Sequence, residues 1–323
     1  MFSTEGYQAF RRGAGVVVRG DRGTLVVTGA DRLTWLQGLL TNDVLALPIG
    51  GIQEAAYLTP QGRMIAHLRV VNLADRTLLD VPGSLAESLQ RRLDGLLFSE
   101  NAQIIDVSPQ TAIVDLHGPD TPPLVARLHD QLGGYGTIVA DAAFGVPGYS
   151  VFVPKPQTEA AVALLVTGGA IRTTLETLEV IRVESGRPAY LIDMDEQTIP
   201  LEAGIEDRAI SFTKGCYVGQ EVIVRVTHRG QGRVAKRLVG LRLAKGQLPE
   251  RGDAIVSDDR DIGRITSAVW SPTIESGIAL GYVHRDFASA GSSVIVRLQK
   301  GGVVSAEVSG LPFVQTLSLQ PDS

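Results

Sequence analysis

The densest group of chemically active side chains lies in residues 214–221, which read Lys-Gly-Cys-Tyr-Val-Gly-Gln-Glu. The segment combines a thiol, a phenol, an amide and a carboxylate with a cation, between glycines that permit tight turns. A nearby cation favours the reactive thiolate, so Lys214 beside Cys216 would suit a nucleophile or a metal ligand. The alternative is a surface turn in which Cys216 is buried as a small, inert hydrophobic residue. The side chains here that could take part in chemistry are those of Lys214, Cys216, Tyr217, Gln220, Glu221 and Arg225.

The cysteine count limits what this thiol can do. Cys216 is the only cysteine among 323 residues, which excludes an intramolecular disulfide and a four-cysteine zinc or iron–sulfur site within one chain. The five histidines show no zinc-ligand spacing. We therefore predict no metal site within one chain, and any cluster bound through Cys216 must take its other ligands from elsewhere.

The elements around this segment change character along the chain. Up to about residue 232, short β-rich runs alternate with amphipathic helices, including a long helix predicted over residues 173–184, a pattern typical of α+β proteins. Residues 234–313 contain six short β-like runs separated by turn residues, which indicates a small antiparallel barrel. Gly230, Gln231 and Gly232 are the predicted boundary.

The signature of residues 214–221, with Arg225 after it, resembles that of the YgfZ family. These are folate-binding proteins of iron–sulfur cluster assembly and repair, within the superfamily of the glycine-cleavage T-protein, a tetrahydrofolate-dependent aminomethyltransferase. The similarity runs from about Gly20 to Val283 and is loose in the barrel. The other segments that match, in the expected order, are residues 31–32, 37–38, 41–43, 59–63, 182–188 and 199–204.

The resemblance implies a fold and a division of the chain. The expected fold is α+β, with a discontinuous two-part α/β body around a central folate cleft and a C-terminal antiparallel β-barrel. The implied parts are residues 1–46 with 111–199, residues 47–110 with 200–232, and the barrel at 233–323.

The resemblance also implies a cofactor, tetrahydrofolate or a derivative, and residues that bind it. A pterin presents an amino group beside a ring N–H, and one carboxylate can accept both hydrogen bonds. Glu184 matches the residue that does this in the superfamily, and Asn42, Arg63 and Arg225 are the other candidate folate ligands. The alternative for Glu184 is an ion pair with Arg187 at a helix end.

One departure from the superfamily bears on activity. Its transferases carry two aspartates after the glycine-rich turn, one of them catalytic, where this chain has Ala66 and His67. His67 could act as a base or could simply be packed on its strand. We therefore predict a tetrahydrofolate-binding accessory protein for iron–sulfur cluster assembly or repair, with Cys216 as a ligand of a transient shared cluster. The alternative is a folate-dependent one-carbon enzyme resembling an aminomethyltransferase or demethylase.

The partners expected on this basis are folate and the iron–sulfur assembly machinery or its client enzymes. RNA is a further candidate, because a basic run could follow a phosphate backbone or steer an anionic ligand, although a solvated hinge explains it equally well. The net charge of −5 gives no other reason to expect nucleic acid. Without a signal peptide or an apolar membrane span, we expect a cytoplasmic protein with no membrane partner. The basic run comprises Arg225, His228, Arg229, Arg233, Lys236 and Arg237.

Overall fold

The computed structural model describes residues 1–229 and 232–315. Its α-helices are α1 (Thr4–Arg12), α2 (Arg32–Leu39), α3 (Ala86–Asp94), α4 (Thr121–Gly133), α5 (Thr158–Thr167), α6 (Leu175–Glu184), α7 (Pro200–Ala203), α8 (Glu206–Ala209) and α9 (Gln220–Val224). In these ranges no helix is both long enough and apolar enough to cross a membrane.

The strands form two open sheets and a closed barrel. In chain order they are β1 (Gly15–Val18), β2 (Arg22–Thr28), β3 (Ile52–Leu58), β4 (Met64–Asn72), β5 (Thr77–Pro82), β6 (Gln103–Asp106), β7 (Thr111–His117), β8 (Thr137–Ala140), β9 (Gly148–Pro154), β10 (Ile171–Arg172), β11 (Lys236–Leu243), β12 (Ala254–Ser257), β13 (Arg260–Ser271), β14 (Ser276–His284), β15 (Ser293–Arg297) and β16 (Val303–Ser309).

The body consists of two five-stranded sheets, which we call the first and second sheets. The first has the order β10-β1-β7-β9-β8 and the second the order β3-β4-β5-β2-β6. Helices α4 and α5 bury their apolar residues on the first sheet, and α2 and α3 bury theirs on the second. The other faces of the two sheets meet through a small apolar cluster, in which Val71 and Leu78 pack with Ile113 and Phe152. The body is therefore a helix–sheet–sheet–helix arrangement, which agrees with the predicted two-part α/β body.

Strand β2 joins the two parts of the body. It follows β1 after a short turn but pairs with β5 and β6, so it belongs to the second sheet. The division predicted from the sequence groups β2, within residues 1–46, with residues 111–199. Its partners β5 and β6 lie within residues 47–110, which that division assigns to the other part. Strand pairing is nonlocal, so the sequence around β2 gives no signal of which sheet it joins. The boundaries at 46, 110, 199 and 232 stay a prediction.

The C-terminal strands close into an antiparallel barrel, β11-β14-β13-β12-β15-β16, which confirms the predicted barrel. Alternate residues of each strand fill its interior, including Leu241, Ile265 and Val296. Helix α6 is predicted at 173–184 and observed as Leu175–Glu184, because Thr174 is its N-cap and accepts a hydrogen bond from the Thr177 amide. It packs between the body and strands β13 and β14 of the barrel.

Candidate functional site

A cleft in the body contains two adjoining chambers beside helix α6. The apolar chamber has a volume of about 340 Å³, and the basic chamber about 100 Å³. The residues that line both are Arg19, Arg22, Phe144, Arg182, Ala189 and Tyr190. The apolar chamber adds Leu175, Leu178, Glu179, Leu191 and Ile192, among others. The basic chamber adds Glu54, His67, Arg69, Arg187 and Arg208, among others.

The arginines at the back of the cleft are held by buried aspartates. Arg19 donates to Asp115 at 2.8 Å, and Arg69 pairs with both Asp115 and Asp80. Arg22 also donates to Asp80, at 2.6 Å. Burial alone would raise the pKa of Asp115, but Arg69 and Arg19 hold it far below its usual range. These paired charges connect the first sheet to the second and fix the cleft wall.

His67 and Glu54 form a hydrogen-bonded pair in the basic chamber. His67 Nε2 lies 3.0 Å from Glu54 Oε2, and the same carboxylate accepts from Arg187 Nη1 at 2.6 Å and Arg208 Nε at 2.8 Å. Burial would raise the pKa of Glu54, but His67, Arg208 and Arg187 hold it well below its usual range. An ionised carboxylate that orients an imidazole is an arrangement suited to acid–base chemistry. The sequence singled out His67 but missed Glu54, because only the pairing of β3 with β4 brings the two together. In that register Ala56, two residues after Glu54, lies opposite His67.

Glu184, the predicted pterin acceptor, is fully buried outside both chambers. Its carboxylate accepts hydrogen bonds from Tyr7 Oη at 2.8 and 2.9 Å and from Ser271 Oγ, and it forms an ion pair with Arg11. The ion pair considered from the sequence, with Arg187, is replaced by this one. Glu184 therefore ties α1 and the barrel to α6. Its folate role stays a prediction, and the carboxylate that α6 presents to the apolar chamber is Glu179.

The other predicted folate ligands also lie outside the lining of the two chambers. Asn42 Nδ2 donates to the carbonyls of Glu54 and Arg208, at 2.8 and 2.9 Å, and so positions the Glu54 cluster from behind. Arg63 Nη1 donates to the backbone and side-chain oxygens of Gln197. Arg225 is exposed at the end of α9. Their folate roles stay predictions.

The loop around Cys216 is anchored on both sides while its thiol is exposed. Lys214 Nζ donates to the carbonyls of Gln37, Leu40 and Asn42, at 2.6, 2.6 and 3.0 Å. All three protons of the ammonium are thereby used, so Lys214 caps the C-terminal end of α2 and does not act as a partner of the thiol. Tyr217 is buried, and burial raises the pKa of its phenol to about 12. Cys216 itself is exposed, so the interpretation of a buried, inert cysteine is wrong.

Beyond Tyr217 the signature turns sharply into helix α9. Gly219 has φ +82°, and Gln220 is the first residue of the helix, with Glu221 exposed in its first turn. Neither chamber is lined by residues of this signature, so Cys216 is not part of the lining of the cleft. Over residues 1–229 and 232–315 there is no group of three or more His, Cys, Asp or Glu side chains placed to hold a metal ion.

The basic run is only partly described. Arg233 and Arg237 are exposed, and Lys236 lies 3.7 Å from the Glu202 carboxylate. The side chains of His228 and Arg229, and the boundary residues Gly230 and Gln231, lie outside the described residues.

Comparison with known proteins places this arrangement in a family. The GCVT N-terminal domain matches residues 2–214, and the glycine cleavage T-protein C-terminal barrel domain matches residues 236–315. The chain belongs to the glycine cleavage T-protein family. Members of this family bind tetrahydrofolate.

Relatives of similar length support the assignment to the T-protein family. The chain is 26% identical to the aminomethyltransferase of Halothermothrix orenii over 331 residues, covering 96% of this chain and 91% of the relative. It is 29% identical to that of Thermus thermophilus over 330 residues, covering 96% and 90%. The crystal structure of aminomethyltransferase T from Bartonella henselae superposes with a TM-score of 0.85 at 20% identity, covering 97% of this chain and 89% of that one. That superposition shows a shared fold.

The chambers of the cleft suit the family's cofactor. The apolar chamber offers Leu178, Phe144 and Ile192 to a flat ring system. Glu179 accepts from Arg182 through both carboxylate oxygens, and its remaining lone pairs can accept from a pterin edge. Arg19 and Arg22 line the same chamber and could meet the carboxylates of the folate tail. The residues present therefore fit a folate.

Proposed function

We propose that this T-protein family member binds tetrahydrofolate in its central cleft and serves iron–sulfur cluster assembly or repair through Cys216. The single observation that carries the proposal is the exposure of that thiol to solvent. Cys216 is exposed, between Lys214 and Tyr217, which are both buried. A cysteine retained for packing would be buried instead.

The position of Cys216 favours exchange with a partner over chemistry inside the cleft. The thiol is exposed to solvent and lines neither chamber, so a cluster or a second protein can reach it without entering the folate site. One thiolate supplies one ligand, so a bound cluster takes its remaining ligands from the partner. The partners we propose are the iron–sulfur assembly machinery or client iron–sulfur enzymes.

The wall of the cleft favours the same proposal over aminomethyl transfer. Strand β4 carries Ala66 and His67 where the resemblance predicts the aspartate pair, and Ala66 is fully buried. Folate would then have a supporting role, with the reactive group of the protein elsewhere.

Complementation of a deletion strain tests the role of the thiol. The variant Cys216→Ser should fail to restore iron–sulfur enzyme activity while its melting temperature stays that of the wild type, because an exposed residue contributes little to packing. Thr213→Ala, a change at another exposed position of this loop, is the control and should restore activity. Full restoration by a stably expressed Cys216→Ser protein would refute the proposal.

A second candidate function rests on the Glu54–His67 pair. If His67 replaces the missing carboxylate as a base, the protein is a folate-dependent one-carbon enzyme of the aminomethyltransferase or demethylase kind. Purified protein would then form methylene- or methyl-tetrahydrofolate from the glycine-cleavage intermediate or sarcosine, and His67→Ala would abolish turnover while Cys216→Ser would not. Absence of product from these donors would remove this candidate.

A further inference from the structure

A separate pocket lies where the body meets the barrel, and we call it the body–barrel pocket. Its volume is about 360 Å³, and it is bounded by the segment after α6, the α7–α8 region, strand β11 and the residues after β16. Three arginines line it, Arg187, Arg208 and Arg237, whereas no Asp or Glu stands among its described lining residues. Such a lining attracts anions.

The positive charge of this pocket is incompletely balanced. Arg187 and Arg208 share a single carboxylate, that of Glu54. Arg237 donates to the Gly232 carbonyl at 2.9 Å and has no ion pair within the described ranges. Burial and the neighbouring Arg208 lower the pKa of Arg187, and Glu54 opposes them by raising it. Two guanidiniums held against one carboxylate leave capacity for a second anion.

Two further acids do not remove this excess. Asp141 also acts on Arg187, but it is paired with Arg69. Glu206 acts electrostatically on both Arg208 and Arg237, but burial raises its pKa and so favours its neutral form. Its Oε2 is also buried without a hydrogen-bond partner among the described residues. Glu206 is therefore a weak counter-ion for the pocket.

We propose that the body–barrel pocket binds an anionic group, a carboxylate or a phosphate, of a small ligand. Arg187 and Arg208 line this pocket and the basic chamber alike, so both residues border the two cavities. The anion can therefore have two sources: the carboxylates of a folate tail that extends from the cleft, or a separate small molecule. The proposal does not require that the protein binds folate.

Calorimetric titration of the full chain with inorganic phosphate and with tri-γ-glutamate tests the site. The wild type should bind at least one of them, and Arg237→Gln should weaken that binding about tenfold, the loss expected for one charge-assisted contact. Arg242→Gln removes an exposed arginine from the same strand outside the pocket and should change nothing. Failure of both anions to bind the wild type, or equal binding by Arg237→Gln, would overturn the proposal.

Competition then identifies the source of the anion. Phosphate that weakens tetrahydrofolate triglutamate but not the monoglutamate assigns the pocket to the folate tail. Phosphate that binds without affecting either folate assigns it to a separate ligand, and both results support the site. If phosphate binds while tetrahydrofolate does not, this proposal stands and the proposed folate function fails.

Discussion

Gly219 lies directly against the carbonyl of Thr59. A Cβ built on Gly219 would stand 2.5 Å from that oxygen, and its φ of +82° is one that residues with side chains rarely adopt. The same parts of the chain also meet at a second point, because a Cβ on Gly62 would stand 2.9 Å from Cβ of Val222 in α9. The glycine turn of residues 59–63 and the cysteine signature, far apart in the chain, therefore fit together and set the position of the Cys216 loop.

Replacing Gly219 with alanine should disturb this fit. We expect Gly219→Ala to lower the free energy of unfolding by about 2 kcal/mol or more, since it combines backbone strain with a clash against a main-chain oxygen. Urea denaturation measures the loss. The matched control is Gly215→Ala in the same loop, where a Cβ meets nothing within 4 Å and φ is not positive. Equal stability of the two variants would show that the close approach is unimportant.

The two carboxylates of α6 should separate folding from folate binding. Glu184→Gln leaves Arg11, which is 11% exposed, without its counter-ion and should cost about 3 kcal/mol in urea denaturation. Glu179→Gln removes a carboxylate that is 34% exposed, and Arg182 keeps its pair with Asp193, so stability should change by less than about 1 kcal/mol.

The same variants distinguish Glu179 from Glu184 as the carboxylate that accepts hydrogen bonds from the pterin. Tetrahydrofolate affinity, measured by calorimetry, should fall at least tenfold in Glu179→Gln, the loss expected when a charged hydrogen bond is removed. Undiminished binding by Glu179→Gln, together with loss of binding by a folded Glu184→Gln protein, would instead support the acceptor predicted from the sequence.

Lys214 should prove to be a structural cap. Lys214→Met deletes an ammonium that donates to three carbonyls at the end of α2, and we expect a loss of about 2 kcal/mol. Lys245→Met, at an exposed lysine of the barrel, serves as the comparison and should be neutral. Thermal unfolding followed by circular dichroism reports both. A Lys214→Met protein as stable as the wild type would contradict the capping role. It would instead favour the role predicted from the sequence, in which Lys214 promotes the Cys216 thiolate.

His117 should make folding sensitive to mild acid. Its ring is fully buried between Phe10 and Phe144, and neither ring nitrogen has a hydrogen-bond partner among the described residues. Burial lowers its pKa from 6.5 although Asp115 and Asp141 oppose this, and Arg69 and Arg19 add to the lowering. As the pH falls through 6.5, the unfolded chain takes up a proton that the folded chain refuses, so stability decreases.

His117→Phe isolates this effect. Its free energy of unfolding should depend less on pH than that of the wild type between pH 7.5 and 5.5, whatever its stability at pH 7.5. The depressed pKa values of Glu54 and Asp115 affect a lower window, since their stabilisation is present above about 4.5 and 3.8 and is lost as the pH falls below them. Identical slopes for the two proteins above pH 5.5 would show that His117 does not titrate as the structure indicates.

Local patterns in the sequence are sufficient to predict the barrel, helix α6 and the T-protein superfamily. Short strands separated by turn residues predict the barrel, and the period of apolar residues predicts the helix, because both signals depend on neighbours in the chain. The signature of residues 214–221 resembles that of the YgfZ family, which belongs to the T-protein superfamily. The domain matches show the superfamily, and the YgfZ family stays a prediction.

Long-range packing determined which of the named residues meet. Glu184 faces Tyr7 and Arg11 rather than the cleft, Lys214 reaches the end of α2, and Cys216 is exposed. Tyr7 and Arg11 lie more than 170 residues from Glu184 in the chain, and Leu40 lies as far from Lys214. A sequence specifies which side chains are available at a position, but the folded sheets, helices and barrel decide which of them are buried, paired or open to a ligand.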